Sequence, residues 1–267
     1  MRELLLRTVS GLLYAALIVF SAYWSPLAFL VVLGTFSILA LFEFQKLIGH
    51  KSPITFLFFG LLAYQIFNQT VHPLLHYSLL FLTLSYSLYL TYCLFTQKKY
   101  PAAPLQRTGL SFFYLIGSAY FILSTTLFLE DGKPLVTLLM YFLIWTNNST
   151  AYLIGKRWGK NLLLPAISPK KTWEGFWGGL LGSLVLSLLF LLIFEDYPFW
   201  FFPFLALFIA ISATLGDLIQ SKFKREAHVK DSGSLLPGHG GFFDRMDSVL
   251  YTAPFVYLLF KFSFYVS

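Results

Sequence analysis

The chain has 267 residues, of which 57% are hydrophobic and only 12% charged, with a formal net charge of +7; an ordinary soluble domain carries roughly 25% charged residues. That is a membrane protein's composition, and without a basic, aromatic-interleaved soluble module it sets aside a nucleic-acid partner. The single cysteine, Cys93, excludes an intramolecular disulfide and any cysteine-cluster metal site.

A helix needs about 20 mostly apolar residues to cross a bilayer's hydrocarbon core. Nine runs are candidates, at approximately 4–23, 27–44, 54–67, 74–95, 109–128, 135–152, 176–194, 199–219 and 249–264. The third is short, in the range where a re-entrant or interfacial segment competes with a full crossing. The first follows Arg2 and Arg7 as a signal peptide would, but it lacks a small-residue cleavage site before Trp24-Ser25-Pro26, so it reads as a retained helix. With the N-terminus inside, all of the 19 Lys and Arg except Lys133 and Lys261 fall on inner segments, while Glu130, Asp131, Glu195 and Asp196 fall outside. This is the charge asymmetry that orients membrane helices. The expected fold is therefore all-α, a polytopic membrane protein of about nine transmembrane helices with a cytoplasmic N-terminus. It forms one membrane-embedded unit, in which residues 1–144 are almost wholly apolar helices and 145–267 add polar loops on the cytoplasmic side, the candidates for catalytic loops.

Nearly all unusual polar chemistry lies between residues 145 and 247, in three inner-side clusters. In "WTNNSTAYLIGKRWGK" a span is expected to end in Asn147, Asn148, Ser149 and Thr150, before a loop from Gly155 to Gly159. In "SPKKTWEGFWGG" Pro169 breaks any helix, Ser168, Lys170 and Lys171 surround it, and Thr172 is a plausible N-cap with Glu174 in the first turn. This second cluster reads either as a positive-inside loop followed by a glycine packing face at Gly175, Gly178 and Gly179, or as an anion site of lysines and helix N-terminal amides.

The third cluster runs from "LGDLIQSKFKRE" into "KDSGSLLPGHGGFFDRMD". If the eighth helix continues past Ile219, Asp217, Ser221 and Lys224 share one face; if the ninth begins near Phe242, Asp244 and Asp247 share another. An acid within about a turn of the bilayer is costly unless something pairs with it. Three carboxylates suit Mg²⁺, whose coordination substrate phosphates would complete. A salt-bridge network with Arg225, Lys230 and Arg245 would use the same residues without metal. Gly238, Gly240 and Gly241 allow a tight turn with positive φ after Pro237. His239 is left as a general acid, a phosphate contact or a packed imidazole.

These residues resemble the phosphatidate cytidylyltransferase (CDP-diacylglycerol synthase) family. The match follows its signature S-x-x-K-R-x(4)-K-D-x-G/S-x-x-L-P-x-H-G-G-x-x-D-R-x-D at Ser221, Lys224, Arg225, Lys230, Asp231, Gly233, Pro237, His239, Gly240, Gly241, Asp244, Arg245 and Asp247, together with "SPKKTWEG" and "LGDL". It covers residues 145–254. The chain departs at Asn148, where the family usually has aspartate, and at Gln220, where many members have glutamate.

The resemblance implies a multi-pass enzyme of the inner (cell) membrane with its active site facing the cytoplasm. It would join CTP to phosphatidic acid, giving CDP-diacylglycerol and pyrophosphate, with Mg²⁺ required. Physical role and resemblance together give Asp217, Asp244 and Asp247 to one or two Mg²⁺ ions. Lys170, Lys171, Lys224, Arg225, Lys230 and Arg245 become phosphate clamps, Ser221 a hydroxyl ligand, and Ser168, Thr172, Asp231, His239, Gly240, Gly241 and Asn148 substrate contacts. A homodimer is left open. The alternatives are a CTP-dependent lipid-alcohol kinase and, third, a membrane transporter.

Overall fold

The structure is a computed structural model that describes residues 2–127, 134–192, 194, 198–236, 238 and 240–266. It is helical almost throughout: α1 (Arg2–Trp24), α2 (Pro26–Leu47), α3 (Pro53–Phe67), α4 (Pro73–Phe95), α5 (Pro104–Gly109), α6 (Gly117–Thr126), α7 (Leu135–Trp158), α8 (Trp173–Leu191), α9 (Phe201–Glu226) and α10 (Phe243–Val266). A π-helical turn, Leu110–Ile116, joins α5 to α6 without a break. The described residues thus form nine helical rods, each over one of the nine apolar runs. Five have both the length and the apolarity to cross a membrane: Pro26–Leu47, Pro73–Phe95, Pro104–Thr126, Trp173–Leu191 and Phe201–Glu226.

Local chemistry sets the helix starts. Proline occupies the first turn of α2, α3, α4 and α5, where its missing N–H costs nothing and its fixed φ suits the helix. Ser25 caps α2 by accepting from the Ala28 N–H at 3.0 Å. Gly49 then ends the connection from α2 in the left-handed region, at φ 63°. In α3 the buried residues Thr55, Phe59, Leu62 and Ile66 make one helical stripe, leaving Leu57 and Leu61 exposed. Similar apolar faces are exposed on α1, α4 and α8, at Leu12, Phe20, Phe81, Leu88, Leu181, Val185 and Leu188.

The architecture differs from expectation in two respects. A two-stranded antiparallel hairpin, β1 (Leu162–Leu164) and β2 (Ser168–Thr172), stands between α7 and α8, with Leu162 opposite Thr172 and Leu164 opposite Ser168. The fold is therefore all-α except for this hairpin, which the lysines and proline of its second strand disguised as a loop. Asn147 to Thr150 also lie inside α7 rather than at its end, because the helix runs on to Trp158 and stops at Gly159.

α7 packs most extensively on α8, and α10 lies centrally against α9, α6 and α2. Glycines make the α7–α8 contact close. A Cβ on Gly175 would lie 2.8 Å from the Ala151 carbonyl, and one on Gly179 would lie 2.6 Å from Asn147 Oδ1. The expected packing face at Gly175, Gly178 and Gly179 is present. The outer acids Glu130, Asp131, Glu195 and Asp196, and Lys133, lie outside the described residues.

Candidate active site

The hairpin is held by the start of α8. Thr172 Oγ1 accepts from the Gly175 N–H at 3.1 Å, the N-cap that the sequence suggested. Glu174 then accepts from the Lys160 N–H at 3.0 Å and from Asn161 Nδ2 at 2.8 Å, pinning the turn that leads into β1. On this support β2 carries Lys171 towards α9, where its Nζ lies 2.6 Å from Asp217 Oδ2.

α9 continues well past Ile219, so Asp217, Ser221 and Lys224 do share a face. Ser221 Oγ donates to Asp217 Oδ1 at 3.2 Å. Lys224 instead crosses to the head of α10, 2.7 Å from Asp244 Oδ1, and Gln220 Nε2 donates to the same oxygen at 3.1 Å. The other oxygen, Asp244 Oδ2, accepts from Ser232 N–H at 2.8 Å, Ser232 Oγ at 2.9 Å and Gly241 N–H at 3.0 Å. Asp244 is thus surrounded by five donors and folds the glycine-rich loop back onto its helix. Burial alone would raise its pKa, but Lys224 and the loop donors hold it below the ordinary carboxylate value.

Asp247 follows one turn later, still before the apolar stretch that begins at Val249. Its Oδ1 accepts from the Ser248 N–H at 2.6 Å. Burial, and then the charge of Asp217, push its pKa up to about 7. Gly216 permits this approach of two acids, because a Cβ there would lie 2.7 Å from the Asp247 carbonyl oxygen.

The donor set fits a divalent cation only in part. Among the described residues no group of three or more His, Cys, Asp or Glu side chains is arranged to hold one. Of the three expected ligands Asp244 carries the most protein donors, five over its two oxygens, while Asp217 has Lys171 on one oxygen and Ser221 on the other. Asp217 and Asp247 are two neighbouring hard-oxygen ligands whose mutual repulsion a cation would relieve, and Mg²⁺ is commonly bound by one or two carboxylates plus substrate phosphates.

A cavity of about 980 Å³ opens beside these groups. Of the residues expected at the site, Asn148, Lys170, Lys171, Thr172, Asp217, Lys224, Asp231, Asp244, Arg245 and Asp247 line it. Ser168, Ser221, Arg225, Lys230, Gly240 and Gly241 are not among its lining residues. Arg225 turns to the hairpin, its Nε 3.3 Å from the Ile167 carbonyl. Gly240 has the positive φ that the turn requires, at 81°, whereas Gly241 does not. His239 and Pro237 lie outside the described residues.

Sequence reasoning missed contributions from the first half of the chain. Gly11, Tyr14 and Ala15 of α1 form part of the wall, and buried Glu43 of α2 touches the glycine-rich loop. Glu43 had left one signal: with Glu3 it is the only acid before Glu130, and it stands in the apolar run "LALFEFQKL".

Comparison with known proteins places these features in a family context. A family model described as the cytidylyltransferase family matches residues 5–263. A phosphatidate cytidylyltransferase of Bacillus subtilis (strain 168) is 44% identical over 117 residues, covering 43% of this chain and 44% of that protein. One of Staphylococcus aureus (strain COL) is 40% identical over 151 residues, or 55% of this chain and 58% of that protein. Another, of Staphylococcus haemolyticus (strain JCSC1435), is 36% identical over 146 residues, 54% of each chain. The chain matches about half the length of these curated relatives.

Proposed function

The chain belongs to the cytidylyltransferase family, and from that premise we propose that it transfers the cytidylyl group of CTP to phosphatidic acid, yielding CDP-diacylglycerol and pyrophosphate. The observation that carries this reading is one cavity lined by both ionic and apolar residues. Lys170, Lys171, Lys224, Arg245, Asp217 and Asp247 line it together with Gly11, Ala15, Ile144 and Val249. Such a chamber suits one substrate that is wholly polar and another that carries acyl chains.

The phosphate of phosphatidic acid is a monoester with a second pKa of about 6, so near neutral pH it is largely a dianion. It needs no general base. One of its oxygens forms the bond to the α-phosphorus of CTP as the bond to the β-phosphate oxygen breaks, and pyrophosphate leaves. The obstacle is the approach of two anions, so the protein's task is to supply positive charge and alignment. Lys171 and Lys224 are already held by carboxylates, which fixes their ammonium groups at the cavity wall while leaving donors for phosphate oxygens. Asp244 acts by holding Lys224 and the loop in place. Asp217 and Asp247 would hold Mg²⁺, which when bound neutralises charge on the triphosphate. With this reading go nine membrane crossings, a cytoplasmic N-terminus and a site on the cytoplasmic face, supported by the distribution of Lys and Arg.

The test is purified protein in detergent with phosphatidic acid, each nucleoside triphosphate in turn, and Mg²⁺ present or chelated. Lipid-linked CMP and pyrophosphate should appear with CTP and vanish on chelation. Release of CDP with phosphorylation of a lipid alcohol would replace this reading with the kinase, and substrate flux into liposomes without CTP turnover would replace it with the transporter. Activity unaffected by chelation would remove the metal assignment.

A further inference from the structure

Glu43 lies near the end of α2, 3% exposed, in a helix whose neighbouring positions are apolar. A carboxylate withdrawn from water there is costly unless donors reach it. Two do, both from a distant part of the chain. Its Oε2 accepts from the Phe243 N–H at 2.9 Å and from Ser232 Oγ at 3.0 Å. Phe243 is the first residue of α10, so its N–H is one of the donors that a helix leaves without an internal partner. Glu43 therefore caps α10 from another helix, with its charge at the favourable end of the helix dipole.

The loop is shaped around this carboxylate. A Cβ added at Gly233 or at Gly241 would collide with Glu43, yet neither glycine has a positive φ. Backbone conformation does not demand glycine at these two positions; the closeness of Glu43 does. Ser232 stands between Glu43 and the site, its hydroxyl within reach of both Glu43 Oε2 and Asp244 Oδ2. Asp244 in turn holds Lys224 and Gln220.

We infer that Glu43 is a positioning residue, a latch by which α2 seats Ser232, Gly233 and Gly241 of the glycine-rich loop and sets Asp244, and through it Lys224, in register with the cavity. Its effect on turnover rests on the proposed reaction, but its effect on the loop does not. Glu43→Gln keeps the length and an oxygen that accepts from both donors, whereas Glu43→Asp withdraws the carboxylate by about one bond length, ~1.5 Å. Glu43→Ala removes it.

The experiment uses the full chain in detergent and reads two quantities. In hydrogen exchange, the amides of residues 231–236 and 240–243 should exchange at least about tenfold faster in Glu43→Asp and Glu43→Ala, and within about threefold of the parent in Glu43→Gln. In CTP turnover, kcat should fall about 100-fold in Glu43→Ala, the scale of a 1 Å misplacement, with KM for CTP changed less than about threefold and the melting temperature of the remaining helices unaltered. Gly233→Ala should cost kcat in the parent and add less than about twofold in the Glu43→Ala background, because the side chain it would strike is gone. Unchanged loop exchange in Glu43→Asp, or the same cost of Gly233→Ala in both backgrounds, would overturn the latch. If Glu43→Ala fails to fold, the Glu43→Asp and Glu43→Gln pair still decides. A parent with no cytidylyl transfer would refute the proposed function while leaving the exchange result to judge the latch.

Discussion

The helices α1 to α6 and the segment from α7 to α10 differ in how far their charged residues are tied across elements. In the first region hydroxyls mostly turn back on their own helix: Ser37 donates to the Leu33 carbonyl at 2.8 Å, Thr35 to Val31 at 2.7 Å and Thr96 to Tyr92 at 2.7 Å. In the second, polar groups tie different elements together, β2 to α9 through Lys171 and Asp217, and α9 to α10 through Lys224, Gln220 and Asp244. A polar group bonded within its own turn adds little to tertiary structure. One bonded across elements fixes where a charge sits, which is what a site for polyanions needs. Glu43 joins the regions, belonging to the first by sequence and to the second by its bonds, as do the Thr91–Tyr251 and Tyr100–Glu226 contacts.

Substitutions should respect this division. The largest effect is expected from Asp217→Asn, which removes both the anchor of Lys171 and one of two neighbouring carboxylates; CTP turnover should fall at least about 10³-fold, with the Mg²⁺ dependence lost from what remains. Wild-type turnover in this variant would sink the assignment. Next is Lys224→Met, which removes the counter-charge of the 6% exposed Asp244 side chain and leaves its four uncharged donors; the cost should lie near the lower end of the about 3–5 kcal/mol for breaking a buried pair, readable as lowered thermal stability in detergent. Gly216→Ala should push α9 from α10, since its Cβ would meet the Asp247 carbonyl and Tyr251, at about 1–3 kcal/mol for overpacking. Thr172→Ala removes the α8 cap and should cost about 1 kcal/mol, with faster exchange in the hairpin. Ser37→Ala is the control from the other region. Its hydroxyl serves only its own helix, so stability should stay within about 0.5 kcal/mol and turnover should not change. A large effect there would break the comparison.

Helix positions were legible because hydrophobic periodicity and proline starts are local signals. The short third run became α3, and the Asp217, Ser221 and Lys224 face formed once α9 was seen to continue. Thr172 was readable for the same reason, since an N-cap bonds three residues along its own chain. The hairpin was not readable. Its strands pair across a three-residue turn, and β2 contains Pro169 and two lysines, a composition that argues against a strand. The spacing points to Asp244, but not to the five donors that gather round it. Spacing puts two acids on a helix face without saying which donors will surround each of them.

The sequence by itself determined that this is a helical, apolar chain with its charged chemistry gathered into a few short segments, because burial of apolar residues and local capping depend on near neighbours. Only the tertiary structure decided that Lys171 meets Asp217, that loop donors gather on Asp244, and that Glu43 bonds Ser232 and Phe243. Glu43 and Phe243 stand 200 residues apart. A hydrogen bond at that separation depends on how the helices pack, and no local spacing in the chain encodes it.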